Sequence, residues 1–164
     1  MDTLNFKVIF LGQSVIKYEV PLDIFNSINQ IYETNFHRLF SANKQLVGKI
    51  EKEHSLFYNG EDESKMKRHS LVPTNVQQWF MNTYHHYLNW NKIKEYKANL
   101  NSIWVNEMKQ HEYNPIHVHQ GSIFTGLSSV MMLKLPTNYG VEYSAAESPS
   151  NGTLQLLGSA SGQF

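Results

Sequence analysis

Two histidines, His117 and His119, stand at i and i+2 in the stretch Asn114-Pro115-Ile116-His117-Val118-His119-Gln120-Gly121. On an extended strand alternate side chains share a face, so both imidazoles project together, with Cα atoms roughly 6.5 Å apart. Two neutral imidazoles at that reach can bind one metal ion, and iron, zinc, copper and nickel all suit them. The chain holds eight histidines and no cysteine. His and carboxylate are therefore its strong metal ligands, and disulfides, thiolate zinc sites and cysteine nucleophiles are excluded.

The neighbouring segments must position the pair. Residues 102–108 read as a strand, β-branched and aromatic, with Trp104, Asn106 and Met108 on one face. Pro115 bars a helix from running through and biases Asn114 towards extended backbone. Residues 126–135 read as a further strand stopped by Pro136. The pair thus falls at the edge of a β-scaffold, a common place for a ligand.

The residues Trp104-Val105-Asn106-Glu107-Met108, then Glu112 to Gly121, then Leu127-Ser128-Ser129-Val130-Met131-Met132-Leu133-Lys134-Leu135-Pro136, form a recognisable series. It resembles a family of 2-oxoglutarate/Fe(II)-dependent oxygenases frequent in tailed bacteriophages of marine bacteria. That family's pattern runs Trp-Val-Asn, a polar turn, Asn-Pro-x-His-x-His, a short Gly/Ser loop and a strand ending in Leu-Lys-x-Pro. The segment Leu46 to Glu53 is similar to an upstream segment of the same family. The likeness covers about residues 46–157 and is specific over 102–136.

The resemblance implies a double-stranded β-helix, or jelly roll. It implies Fe(II) and 2-oxoglutarate as cofactors, with His117 and His119 as metal ligands. In the superfamily iron is held by His-x-Asp/Glu and a distal His, leaving positions for 2-oxoglutarate and oxygen. His119 stands at the carboxylate position, as it does in the phage family. Trp104 and Asn106 are candidates to line the cosubstrate pocket, although Trp104 and Met108 also suit a core. Lys134 is the candidate cation for the 2-oxoglutarate carboxylate, or else a solvated edge charge. No His follows His119 and no Arg follows Arg68. The distal ligand and the usual anchoring cation are thus missing, and the jelly roll is expected to be C-terminally incomplete. Three explanations stand: a shortened or truncated chain, a site completed by another subunit, or lost catalysis.

Two amphipathic helices precede this block. Residues 22–40 carry Leu22, Phe25, Ile28, Ile31, Tyr32, Phe36, Leu39 and Phe40 near helical spacing, behind Pro21. His37 sits in the expected last turn, where a cation favours the helix dipole. Residues 74–89 follow Pro73 and carry Val76, Trp79, Phe80, Tyr84, Tyr87 and Leu88. His85 and His86 diverge by about 100° on a helix and cannot readily share a metal. Residues 5–11 and 14–20 read as a hairpin across Gly12-Gln13. Short extended pieces are expected at 46–50 and 56–58, flanking a charged turn in which His54 is solvated. Residues 59–70 read as a mixed-charge loop, whose Glu61, Asp62, Glu63 and His69 are expected to be solvated rather than metal-bound. Residues 137–152 read as a connection, and 153–157 as a last short strand.

The fold expected is α+β: one domain over residues 1–164, with a helical and strand part at 1–94, core strands at 95–157 and a flexible tail at 158–164. Both helices pack on one sheet of the jelly roll. Lys and Arg together number 14, as do Asp and Glu. That balance gives no sign of a nucleic-acid or anionic-membrane partner. No apolar run approaches a membrane span and no secretory leader is visible, so the cytoplasm is expected, that of the host if the chain is from a phage. A sheet missing strands leaves an open edge, which favours a homodimer.

Two main readings follow. The first is an Fe(II)/2-oxoglutarate-dependent hydroxylase, or a truncated relative, acting on an unknown acceptor; peptidyl proline, a nucleobase and a small metabolite all fit. The alternative is a non-catalytic jelly-roll binding module or a virion or assembly protein. A cupin-like metal protein that ignores 2-oxoglutarate is a third.

Overall fold

Around Lys52–Ser55 the backbone is paired on both edges, although the segment is Lys-Glu-His-Ser and carries no strand-favouring side chain. The computed structural model describes residues 4–10, 14–41, 48–59, 67, 68, 70–115, 117, 126–140 and 152–154. The elements in chain order are β1 (Phe6–Phe10), β2 (Ser14–Tyr18), α1 (Leu22–Asn35), a 3₁₀ turn (Phe36–Arg38), β3 (Lys52–Ser55), β4 (Tyr58–Asn59), β5 (Lys67–Arg68), α2 (Thr74–Trp90) and β6 (Trp104–Glu107). The protein is mixed α+β, with two antiparallel ribbons, β1–β2 and β3–β6, and a two-residue pairing of β4 with β5. The chain packs as two compact units, one of residues 1–19 with 130–164, the other of residues 20–129. None of the described helices is long and apolar enough to cross a membrane.

The first unit holds the β1–β2 hairpin, with Phe6 opposite Tyr18 and their rings 6.3 Å apart. The expected hairpin is thus present, and its turn at Gly12-Gln13 lies outside the described residues. Residues 126–140 form neither helix nor strand, contrary to the strand expected at 126–135. Leu127, Val130, Met132 and Leu135 are exposed there. Strand propensity reports side chains that suit a pleated surface, but a ladder needs a neighbouring edge. Residues 152–154 likewise form no strand, and 155–157 of the expected last strand are outside the described set.

The second unit is built on β3. Lys52, Glu53, His54 and Ser55 pair with Glu107, Asn106, Val105 and Trp104 of β6. On the other edge Ser41 bridges His54, and the Ser55 amide donates to the Phe40 carbonyl at 3.2 Å. The charged stretch expected as a turn is therefore a strand, with β6 along one edge and a single bridge to Ser41 on the other. Its backbone groups gain partners on both sides, which outweighs the poor strand propensity of the side chains. The strand runs directly into Leu56 and Phe57, which are 0% and 1% exposed. Leu56 donates to the Ile103 carbonyl at 2.8 Å and accepts from the Leu71 amide at 2.9 Å. With Ile24, Ile28, Ile50, Val72, Val76, Phe80 and Leu88 these residues make up the described apolar core.

α1 starts at Leu22, where the Phe25 amide donates back to Pro21 at 3.0 Å, and Asp23 complements the helix dipole in the first turn. Its buried row is Ile24, Ile28 and Asn35, with Tyr32 half-buried between them; Leu22, expected on that face, is 71% exposed. The helix ends at Asn35, short of the expected residue 40. The buried Asn35 amide donates to the Ile31 carbonyl at 2.7 Å, and its oxygen receives Arg38 Nε at 2.8 Å. That side chain competes locally with the backbone, and the chain tightens into the 3₁₀ turn holding exposed His37.

α2 packs on α1. The helix runs one residue past expectation, to Trp90. Lys92 has φ of 59°, and the amides of Lys92 and Ile93 donate to Asn89 and Leu88, both at 3.0 Å. This is a Schellman-type close in which a lysine takes the left-handed position.

Candidate functional site

The approach to the histidine pair is built from the end of β6. After Glu107 the chain turns through residues 108–112, with His111 at φ of 67°. Glu112 clamps this turn: its carboxylate accepts from the Lys109 amide at 2.6 Å and from the Glu51 amide at 3.0 Å. Lys109 Nζ also pairs with Glu51 at 2.8 Å across the same junction. Tyr113 then bridges Lys49, each amide donating to the other's carbonyl, at 3.0 and 2.9 Å. Pro115 comes to lie over Gly48, where a Cβ would be 2.8 Å from its Cδ.

His117 follows, exposed, with Nδ1 2.7 Å from the Pro115 carbonyl oxygen. A carbonyl only accepts, so Nδ1 carries the proton and the neutral ring's lone pair is on Nε2. Metal-ligating histidines are commonly set in this way, with the other ring nitrogen donating to a carbonyl. His119 lies outside the described residues. Among the described residues no three His, Asp or Glu side chains group so as to hold a metal. The described residues therefore do not by themselves fit a ferrous ligand set.

Trp104 and Asn106 share one face of β6, opposite Ser55 and Glu53 of β3. Trp104 is 40% exposed, whereas Asn106 is half-buried with its Oδ1 shielded and without a described partner. Lys134 belongs to the first unit and is exposed there; the other named candidates belong to the second. His85 and His86 are both half-buried, and His85 Nδ1 meets the Tyr96 hydroxyl at 2.9 Å, tying α2 to the segment after it.

The other face of the ribbon carries a polar cluster that the sequence did not disclose. His54, expected to be solvated, is buried at 7% exposure, on a strand flanked by β6 and by the bridge to Ser41. The Tyr32 hydroxyl donates to Glu107 Oε1 at 2.6 Å and lies 3.3 Å from His54 Nδ1. Lys52 Nζ meets Glu107 Oε2 at 3.1 Å. With the phenol proton committed to Glu107, the phenol oxygen accepts from His54 Nδ1–H. Burial first, then the adjoining carboxylate, raises the Tyr32 phenol above its usual range. The Tyr32 bond, aided by Lys52, lowers Glu107 despite partial burial. Burial lowers His54, against the pull of Glu107. The cluster thus holds a neutral tyrosine and an ionised glutamate, and it pins α1 to the β3–β6 ribbon. A period of two in Lys52/His54 and Val105/Glu107 was the available signal; the link to Tyr32, 75 residues from Glu107, has no local signature.

Tyr32→Phe is expected to cost about 1–3 kcal/mol at neutral pH, since it keeps the ring but removes the donor to a charged, partly buried oxygen. Glu107 is lowered in the fold, so its contribution is present above the ordinary 4.5 and fades as pH falls through the folded value. Urea melts of both proteins at pH 7 and pH 3 check this: the difference between them shrinks at the lower pH.

Compared with family models, curated proteins and solved structures, the chain matches none of them.

Proposed function

We propose that this chain is an Fe(II)- and 2-oxoglutarate-dependent oxygenase, or a shortened relative of one, on a double-stranded β-helix core. His117 and His119 are its metal ligands, and its acceptor is of unknown class. The observation that carries the reading is the 2.7 Å bond from His117 Nδ1 to the Pro115 carbonyl. It puts the ring's lone pair on Nε2, one of the two nitrogens by which an imidazole can hold a metal, at the end of a segment held by the Glu112 clamp and the Tyr113–Lys49 bridge. His117 and His119 would hold the metal, and iron with 2-oxoglutarate would supply the oxidising chemistry for hydroxylation of the acceptor. The chain's own part is to fix the imidazole and to offer the Trp104 and Asn106 face of β6 for binding.

The test is succinate release from 2-oxoglutarate with Fe(II) and a reductant. Turnover is expected for the natural chain and is lost in His117→Ala, whose near-ultraviolet circular dichroism stays native. The Mn(II) affinity of that variant is expected to fall at least about 100-fold, more than removal of an outer-shell partner usually costs. A folded natural chain that binds iron but releases no succinate removes the enzymatic reading. It leaves a non-catalytic jelly-roll module for binding or virion assembly.

A further inference from the structure

The turn that leaves α2 is exposed along its whole length, from Trp90 to Lys97. It is nonetheless held in place. Lys92 takes the left-handed position, and the Ile93 amide donates back to the Leu88 carbonyl at 3.0 Å. Three residues on, the Tyr96 hydroxyl meets His85 Nδ1 at 2.9 Å, and its ring lies 5.5 Å from the imidazole. The segment therefore folds back onto α2 and is fastened at both ends.

Two kinds of side chain stand out on it. Trp90, Ile93 and Tyr96 are 46%, 42% and 37% exposed. Single exposed apolar residues are ordinary, but three on one short turn make a patch. Lys92, Lys94 and Lys97 are exposed among them, and none of the three forms an ion pair among the described residues. Glu95 is the one acid between Glu63 and Glu107, so the turn is locally cationic although acids and bases balance over the whole chain. The combination selects among partners. Protein interfaces are depleted in lysine, whereas Trp and Tyr beside Lys mark the boundary between lipid and water. Single-stranded nucleic acid stacks on open aromatic faces. Ile93 has no such face, and Tyr96 already lies against His85.

We propose that the Trp90–Lys97 turn docks this protein on an anionic lipid bilayer, with Trp90, Ile93 and Tyr96 entering the interfacial layer and Lys92, Lys94 and Lys97 meeting the lipid phosphates. Lysine stems lie along apolar surface while their ammonium groups reach the headgroups. The turn is already formed, so docking orders little new chain. One small apolar patch with three cations gives a weak attachment that salt reverses. It does not depend on a metal at His117.

The experiment is co-sedimentation of the full chain with vesicles of equimolar phosphatidylcholine and phosphatidylserine, and with vesicles of phosphatidylcholine alone, at low and high salt. Binding is expected to the mixed vesicles at low salt and to neither kind at high salt. Lys94→Gln and Lys97→Gln, both at exposed positions, should each lower the partition constant about fivefold, the effect of one lysine near an anionic surface. Lys17→Gln, on the exposed side of β2, removes the same charge and should leave binding unchanged. Tryptophan emission should shift to the blue on binding, and Trp90→Phe should lose that shift, because Trp79 and Trp104 lie on other elements. No partition into the mixed vesicles at low salt overturns the proposal. So does a loss in Lys17→Gln equal to that in Lys94→Gln, or a blue shift that survives in Trp90→Phe. Retention on single-stranded oligothymidylate without binding to vesicles would assign the turn to nucleic acid and overturn it as well.

Discussion

Phe57→Ala is expected to remove about 3–5 kcal/mol from the unit of residues 20–129, the largest effect of any single change considered. Phe57 is 1% exposed and follows β3 at the point where the backbone meets neighbours on two sides. Its amide donates to Ser55 Oγ at 3.1 Å, fixing the side chain's departure from the strand. Domains of this size are typically stable by only about 5–15 kcal/mol, so the variant should be near its unfolding threshold at ambient temperature. The control is Leu22→Ala, at 71% exposure on α1, which should change stability by no more than about 0.5 kcal/mol. Guanidinium unfolding followed by circular dichroism separates the two. Comparable losses would mean that the core is not centred on β3.

Gly48→Ala is expected to cost about 1–3 kcal/mol or more and to weaken metal binding as well. A Cβ there would overlap the Tyr113 carbonyl oxygen, sit 2.8 Å from Pro115 Cδ and lie 3.0 Å from Asn114 Cα. All three atoms are backbone or proline ring, so the residue-113–115 segment must move bodily. The glycine is needed for close approach of another chain segment, one of the uses that only glycine serves. Because His117 is oriented through the Pro115 carbonyl, the displacement should reach its imidazole. Thermal melts measure the first effect and Mn(II) titration the second. A variant that loses stability but keeps full Mn(II) affinity would show that the bridge to Lys49 does not position the histidine.

Parts of this architecture are legible in the sequence because they depend on local periodicity. Ile28, Tyr32, Val76, Phe80 and Leu88 recur at helical spacing, and both helices are present with Pro21 and Pro73 ahead of them. The end of α1 is less legible, because it depends on the Asn35 side chain turning back to Ile31 rather than to solvent. β3 is the clearest departure. Its residues look like a charged turn, and only pairing with β6 and with the Phe40–Ser41 segment makes them a buried strand. Residues 126–135 err in the opposite sense, with strand-like side chains and no ladder. The same contrast governs the chemistry. His117 is conspicuous from spacing alone, and Glu112, whose carboxylate holds the preceding turn, is not. Tyr32, His54 and Glu107 come together only through tertiary packing.

The central claim is that His117 belongs to a working metal site that also takes 2-oxoglutarate. Its most direct test is thermal melting with Mn(II), an air-stable substitute for Fe(II), in the presence and absence of 2-oxoglutarate. A ligand at about 100 times its dissociation constant adds about 2.7 kcal/mol to the folded state, which for a protein of this size raises Tm by roughly 5–10 °C. Tm is expected to rise with Mn(II), to rise further with 2-oxoglutarate, and to show neither rise in His117→Ala. An unchanged Tm with both ligands at saturating concentration, or a rise that survives in His117→Ala, would contradict it.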